Sequence, residues 1–179
     1  MVYCEKPMAV TFGQCRELLR TAEETGCKLR YNHQRRFGIP LMKTKDLIHD
    51  GAIGKLQRME SSGNDMFDQG VNWVDLLNFF NDDHDVEWVI GQLDAREVVR
   101  AFGVPVEYQA ICHFRYANGV QAVMVAGNHL FESAPPFRLI GSEGMLELGW
   151  NQSDGPALRY WRDGKAGWVE VDCGEETVH

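Results

Sequence analysis

The chain has 179 residues, 44% of them hydrophobic and 25% charged, with a net charge of -8. That supplies apolar material for a sizeable core, in one domain or in a small domain with an appendage. The acidity, with a sequence pI near 5.2, argues against nucleic acid or an anionic membrane surface as partner. No apolar run approaches the ~20 residues of a membrane helix, and the N-terminus carries no basic-then-apolar signal pattern, so an intracellular, cytoplasmic protein is expected.

The charge is unevenly spread. Residues 1–58 hold eleven Lys and Arg against six Asp and Glu, whereas residues 59–179 hold seven against twenty. The simplest account is that the two parts pair with each other on folding, with a basic patch facing a phosphate-bearing cofactor as the alternative. The cysteines, at 4, 15, 27, 112 and 173, form no C-x-x-C pair and are odd in number, which points to reduced thiols and no zinc cluster. The six histidines show no H-E-x-x-H spacing. No metal site is expected.

In chain order, MVYCEKPMA reads as the end of a buried strand running into a loop. Pro7 keeps Lys6 away from helical angles and so extended at the strand's exit, with the isomer of the Lys6–Pro7 bond left open. Thr11 caps a helix to about Thr25 in which Phe12, Cys15, Leu18, Leu19 and Ala22 repeat at helical spacing, and Gly26 stops it. Residues 27–33 read as a second strand, which completes a strand–helix–strand unit of a parallel arrangement. A further helix runs from about Pro40 to His49 and closes at Asp50-Gly51, and KLQRMESSG from Lys55 is strand-like.

The stretch DQGVNWVDLLNFF, Asp68 to Phe80, carries the strongest pattern. At about 100° per residue, Trp73, Leu76, Leu77 and Phe80 share an apolar arc, as a core-facing helix requires. Asp68, Asn72 and Asp75 share a second stripe with no basic residue in it. Such a stripe fits the wall of a polar pocket, or else the solvated side of an amphipathic helix. Beyond Asn81-Asp82-Asp83 the chain turns to β-structure, with strands expected at 86–95, 107–116, 120–127, 136–141, 145–149, 157–162 and 167–172. Asn118-Gly119 and Asp163-Gly164 read as hairpin turns with left-handed backbone. These strands suit an antiparallel sheet with one face under helices and the other partly open.

Glu5-Lys6-Pro7, and then Asp68-x-Gly70-x-Asn72-x-x-Asp75, resemble in order two motifs of the Gfo/Idh/MocA family of NAD(P)-dependent oxidoreductases, the second being its D-x-G-x-H-x-x-D helix. YNHQRRF with LIHDGAIGKLQRME resembles the segment linking the family's two domains, and GSEGMLEL at 141–148 its G-[ST]-x-G turn and strand. The resemblance implies an α+β chain: a large open, mostly antiparallel sheet backed by helices, preceded by a remnant strand–helix–strand of a Rossmann fold. Residues 1–33 would be the end of a dinucleotide-binding domain, and 34–179 the substrate and oligomerisation domain.

By that resemblance the substrate is a sugar, polyol or related small molecule, and the subunits pair through the open sheet. Lys6 would lie near the nicotinamide and hydrogen-bond the reacting oxygen, with Glu5 and Pro7 beside the cofactor. Asp68 would contact substrate, Asn72 would stand where the family carries its proton-exchanging His, and Asp75 would orient neighbours or contact substrate. An amide neither gives nor takes a proton near neutral pH, so Asn72 can orient a hydroxyl without acting as acid or base. His33 and His84 are the nearest histidines in sequence, with structural or solvent-facing places expected for both. No G-x-G-x-x-G occurs, and the pairs Gly51–Gly54 and Gly141–Gly144 have the wrong spacing. The pyrophosphate-binding part of the Rossmann unit is therefore expected to lie outside this chain, as in a fragment or truncated product, and the chain alone to bind NAD or NADP poorly.

Overall fold

In the computed structural model, which describes residues 1–127, 136–149 and 157–174, strands β1 (Val2–Cys4) and β2 (Leu29–Tyr31) pair in parallel and are joined by helix α1 (Phe12–Thr25). The capping residues act as their types dictate. Thr11 Oγ1 accepts from the Gln14 N–H, Gln14 Oε1 accepts from the Thr11 N–H at 3.1 Å, and Gly26 takes the left-handed φ of 63° that closes the helix. The expectation of a buried first strand is corrected. Val2 is 45% and Tyr3 64% exposed, and α1 buries no residue, leaving Phe12 and Leu19 open. A two-stranded ribbon and one helix have too little facing surface to cover each other's apolar sides.

A turn of 3-10 helix, Gln34–Phe37, leads into helix α2 (Ile39–His49), with Pro40 in its first turn where the missing N–H costs nothing. Strand β3 (Leu56–Gly63) and helix α3 (Gln69–Phe80) follow, then β4 (Val86–Asp94), a short hairpin of β5 (Val99–Ala101) and β6 (Val104–Val106), β7 (Gln109–Tyr116) and β8 (Gln121–Gly127). The chain continues through β9 (Phe137–Gly141), β10 (Gly144–Leu148), β11 (Leu158–Arg162) and β12 (Val169–Glu170). Among the described residues, eight strands form one sheet in the order β12-β11-β10-β9-β3-β8-β7-β4, antiparallel except for β3 beside β8. The fold is α+β, with a large, mostly antiparallel sheet after an N-terminal strand–helix–strand unit.

Register decides the two faces. Leu146, Leu139, Met59, Ala122 and Phe114 stand in one row across five strands, all buried on the helix side. Onto that side α3 presses Trp73, Leu76, Leu77 and Phe80, the apolar arc of the sequence, each 0–1% exposed. Trp73 and Phe80 each meet Phe137 edge-on, at 5.2 and 5.8 Å between ring centroids, and the indole N–H donates to the Ser62 carbonyl at 2.6 Å. The next row faces the other way and reads Ile90, His113, Val123, Glu60, Arg138, Glu147, Arg159, Glu170. This open face is apolar at the β4–β8 end and alternately charged at the β9–β12 end.

Three strand expectations change in detail. The β5–β6 hairpin falls in a stretch that the sequence leaves unassigned, because Phe102 takes the left-handed φ of 50° beside Gly103 and Pro105 lies within a strand. The strand expected at 167–172 is only Val169–Glu170. In the Asn118-Gly119 and Asp163-Gly164 turns only the glycines are left-handed, at 89° and 77°. All five cysteines are free, and no helix among the described residues is long and apolar enough to cross a membrane.

Candidate functional site

The parallel register that sets Cys4 beside Tyr31 delivers the exits of β1 and β2 to the same helix, α3. From β1 comes Lys6, followed by a cis Lys6–Pro7 bond. Its side chain is 17% exposed, and the ammonium donates to the Asp68 carbonyl at 2.8 Å and forms an ion pair with the Asp68 carboxylate. Asp68 stands at the N-cap of α3, but its side chain makes no cap hydrogen bond and so is available to Lys6. Two backbone donors of the loop before it are engaged: the Met66 N–H donates to the Glu107 carboxylate, and the Asp68 N–H to the Asp65 carboxylate. Glu5 is exposed and accepts from the Asn32 amide at 2.8 Å, which links the two strand exits.

One turn into α3, Asn72 is 2% exposed. Its Nδ2 donates to the Asp68 carbonyl at 3.1 Å, and its buried Oδ1 has no hydrogen-bond partner. Asp75, one turn further, is held by residues from the exit of β2. Arg36 donates from Nε to Oδ2 at 2.9 Å and from Nη2 to Oδ1 at 2.7 Å, and it also bonds Asp83 at 2.9 and 3.1 Å. The Asp75 bonds, reinforced by Asp83 and opposed by burial, hold the Arg36 guanidinium above its ordinary range. His33 places Nδ1 3.5 Å from Asp75 Oδ2. Both carboxylate oxygens of Asp75 are thus engaged by the chain itself. Arg35 lies over the Trp73 ring at 5.3 Å, and burial lowers its affinity for its proton while the nearby Asp68 charge partly restores it.

Of the residues singled out from sequence, Lys6, Asp68 and Asn72 meet in one place, Asp75 sits a turn along the same stripe, and Glu5 points to Asn32. Sequence reasoning missed the Arg36–Asp75 pair and the position of His33. The basic run QRRF just after a strand, with unpaired acids later in the chain, was the available signal. The unequal charge of the two parts resolves as direct pairing: Lys6 to Asp68, Arg36 to Asp75 and Asp83, and Lys45 to Asp82 at 3.0 Å. No group of acidic, His or Cys side chains among the described residues could hold a metal.

A dinucleotide asks for a glycine-rich turn that presents a helix N-terminus to its pyrophosphate. Here the first N–H groups around α1 are taken by the Thr11 and Gln14 side chains, with the Val10 N–H also donating to Gln14 at 3.1 Å. Among the described residues, the N-terminus of α1 does not offer such a turn.

Two family models match. The one described as GFO/IDH/MocA C-terminal domain covers residues 57–147, and the oxidoreductase family with an NAD-binding Rossmann fold covers residues 1–33. The 2,7-anhydro-N-acetylneuraminate hydratase of Mediterraneibacter gnavus is 37% identical over 74 residues, which are 40% of this chain and 20% of that protein. The 1,5-anhydro-D-fructose reductase of Ensifer adhaerens is 32% identical over 103 residues, 46% of this chain and 31% of that one. In fold, an inositol dehydrogenase homolog from Azotobacter vinelandii, solved with NADH and myo-inositol, superposes with a TM-score of 0.71 at 15% identity, over 97% of this chain and 50% of that one. The chain therefore spans about half of the solved structure and less than a third of these two relatives. With more than half its length inside the C-terminal-domain match, the chain belongs to the Gfo/Idh/MocA family.

Proposed function

We propose that this chain is the substrate-binding and assembly part of an oxidoreductase acting on a sugar, polyol or related small molecule, with residues 1–33 as the edge of the cofactor-binding domain and 34–179 as the substrate domain. The observation that carries the reading is the Lys6 ammonium fixed on Asp68 beside the buried, unsatisfied Oδ1 of Asn72. A held ammonium stabilises charge developing on a substrate oxygen. Asp68 accepts a neighbouring hydroxyl, and Asn72 Oδ1 receives another, which removes the cost of leaving a buried acceptor unpaired. The names of the relatives agree on cyclic, polyhydroxylated compounds.

The nicotinamide, when bound, supplies the hydride chemistry. The pyrophosphate contacts must come from residues other than these, so the chain alone binds NAD and NADP poorly. The test is calorimetric titration of the chain with NAD(H), NADP(H) and a panel of cyclic polyols. Weak polyol binding that disappears in Lys6→Met and Asp68→Ala, with no micromolar dinucleotide binding, is expected. Micromolar affinity for either dinucleotide would refute this division of labour, and polyol affinity indifferent to Lys6→Met would move the site elsewhere.

Asn72 favours a second reading, a module that binds its ligand without turnover, since an amide cannot exchange the hydroxyl proton. Polyol binding with no nicotinamide absorbance change, in this chain joined to a cofactor-binding domain that does bind NAD(P), would be its signature; reduction of the nicotinamide there would exclude it.

A further inference from the structure

We infer that Asp65 is a positioning residue of this site, an inference that rests on the polyol-binding reading above: Asp65 takes over the capping of α3 and so leaves the Asp68 carboxylate to Lys6. A carboxylate at the start of a helix ordinarily turns back to accept an N–H two or three residues on. For Asp68 those residues are Gly70 and Val71, and its side chain makes no such bond. It goes instead to Lys6, 62 positions away in the chain.

Asp65 accounts for that choice. It stands three residues before Asp68, the spacing of a capping side chain and the donor it serves. Its carboxylate accepts the Asp68 N–H, and its carbonyl accepts the Gly70 N–H at 2.8 Å. The second bond occupies a donor that the Asp68 carboxylate would otherwise claim. Gly70 admits the carbonyl because it has no side chain: a Cβ there would stand 3.1 Å from the Asp65 oxygen and 2.9 Å from Met124 Cε. Around the same turn the Asn64 N–H donates to Gln69 Oε1 at 2.8 Å and the Met66 N–H to Glu107. The donors of Asn64, Met66, Asp68 and Gly70 are thus all engaged without the Asp68 side chain.

The backbone of Asp68 is aimed by the same turn. With φ of -89° and ψ of -58° it is already helical, and its carbonyl accepts from Asn72 Nδ2 at 3.1 Å and from Lys6 Nζ at 2.8 Å. Lys6 therefore meets the carbonyl and the carboxylate of one residue, and the unsatisfied Oδ1 belongs to the amide bonded to that carbonyl. Without the Asp65 carboxylate the Asp68 N–H loses its acceptor, the turn loosens, and the Asp68 side chain is drawn back to cap α3, away from Lys6.

Crystal structures of two variants, with NMR titration of myo-inositol, test this. In Asp65→Ala the Asp68 carboxylate should leave Lys6 for an N–H in the first turn of α3. The myo-inositol affinity should fall about three- to ten-fold, the size of one lost cap. Asp65→Asn, whose amide oxygen accepts the same N–H, should keep the ion pair and stay within about two-fold of the parent. An Asp68 that remains on Lys6 in Asp65→Ala, or an affinity that Asp65→Asn fails to rescue, overturns the inference. Lys6→Met decides the same point if Asp65→Ala does not fold. With Lys6 gone and Asp65 in place, the Asp68 carboxylate should still stay off the helix, and one that swings onto Gly70 or Val71 shows that Lys6, not Asp65, held it away. A parent that binds no myo-inositol refutes the polyol reading, and the two crystal structures still decide what holds Asp68.

Discussion

Asp75 shows how burial ties one carboxylate of a shared guanidinium to the chain more firmly than another. Its side chain is 13% exposed and receives two nitrogens of Arg36, whereas Asp83, on the same guanidinium, is 55% exposed. Burial decides what each bond contributes. Removing the half of a pair that sits out of water leaves the other charge unsolvated, while an exposed partner is replaced by solvent at little cost. Asp75→Ala should therefore lower the unfolding free energy by about 2–4 kcal/mol, read as a shift in urea midpoint, and Asp83→Ala by less than about 1 kcal/mol. Equal effects would mean that Arg36 gains nothing from its burial. Lys6 and Asp68 form a pair of intermediate exposure, at 17% and 34%.

Elements bring these residues together through unequal faces. Helix α3 puts large apolar groups on the sheet and a polar stripe toward the exits of β1 and β2. Across the sheet, on its open side, the same alternation builds a charged row around Glu147. Arg138 donates to its Oε1 at 3.0 and 2.8 Å and Arg159 to its Oε2 at 3.0 and 2.6 Å, with Trp168 stacked on Arg159 at 4.4 Å. Burial raises the Glu147 carboxyl's affinity for its proton, but the bonds to the two arginines outweigh it and leave the group below the ordinary carboxylate range. A depressed folded value means that the contribution is complete above the unfolded value and is lost as pH falls through the folded one. The β9–β12 end should therefore hold until the pH drops below about 4 and then lose stability. Amide exchange across β10 and β11, measured from pH 6 downward, should show it. Glu147→Gln should remove that acid limb and lower protection already at neutral pH, and an unchanged acid limb would show that another carboxylate sets it.

At the scale of the molecule, one face of the eight-stranded sheet carries the helices and the other stays open. Its β4–β8 end presents Ile90, 67% exposed, and Ile111, 51% exposed, next to Val123 and Val125. An apolar patch on a sheet face is a typical surface for pairing with a second copy, and the proposed assembly uses it. Sedimentation equilibrium should find a dimer at micromolar concentration and a monomer for Ile90→Glu with Ile111→Glu. A monomeric parent would remove the assembly half of the proposal, with substrate binding unaffected.

The sequence by itself determined what depends on local order. The apolar arc of Trp73, Leu76, Leu77 and Phe80, the Thr11 cap and Gly26 stop, most of the strands and the motif that places Asp68 beside Asn72 were all legible, because helical and strand periods are written in neighbouring residues. The β5–β6 hairpin was not, since a left-handed Phe102 and a strand proline run against local preference. Only the tertiary structure decided which charges meet. That Asp75 belongs to Arg36, that Lys6 reaches Asp68 across 62 positions of chain, and that His33 lies against the same stripe follow from two parallel strands ending together at one helix. Contacts of that range have no period in sequence; they exist once the backbone has brought distant segments within a few ångströms of each other.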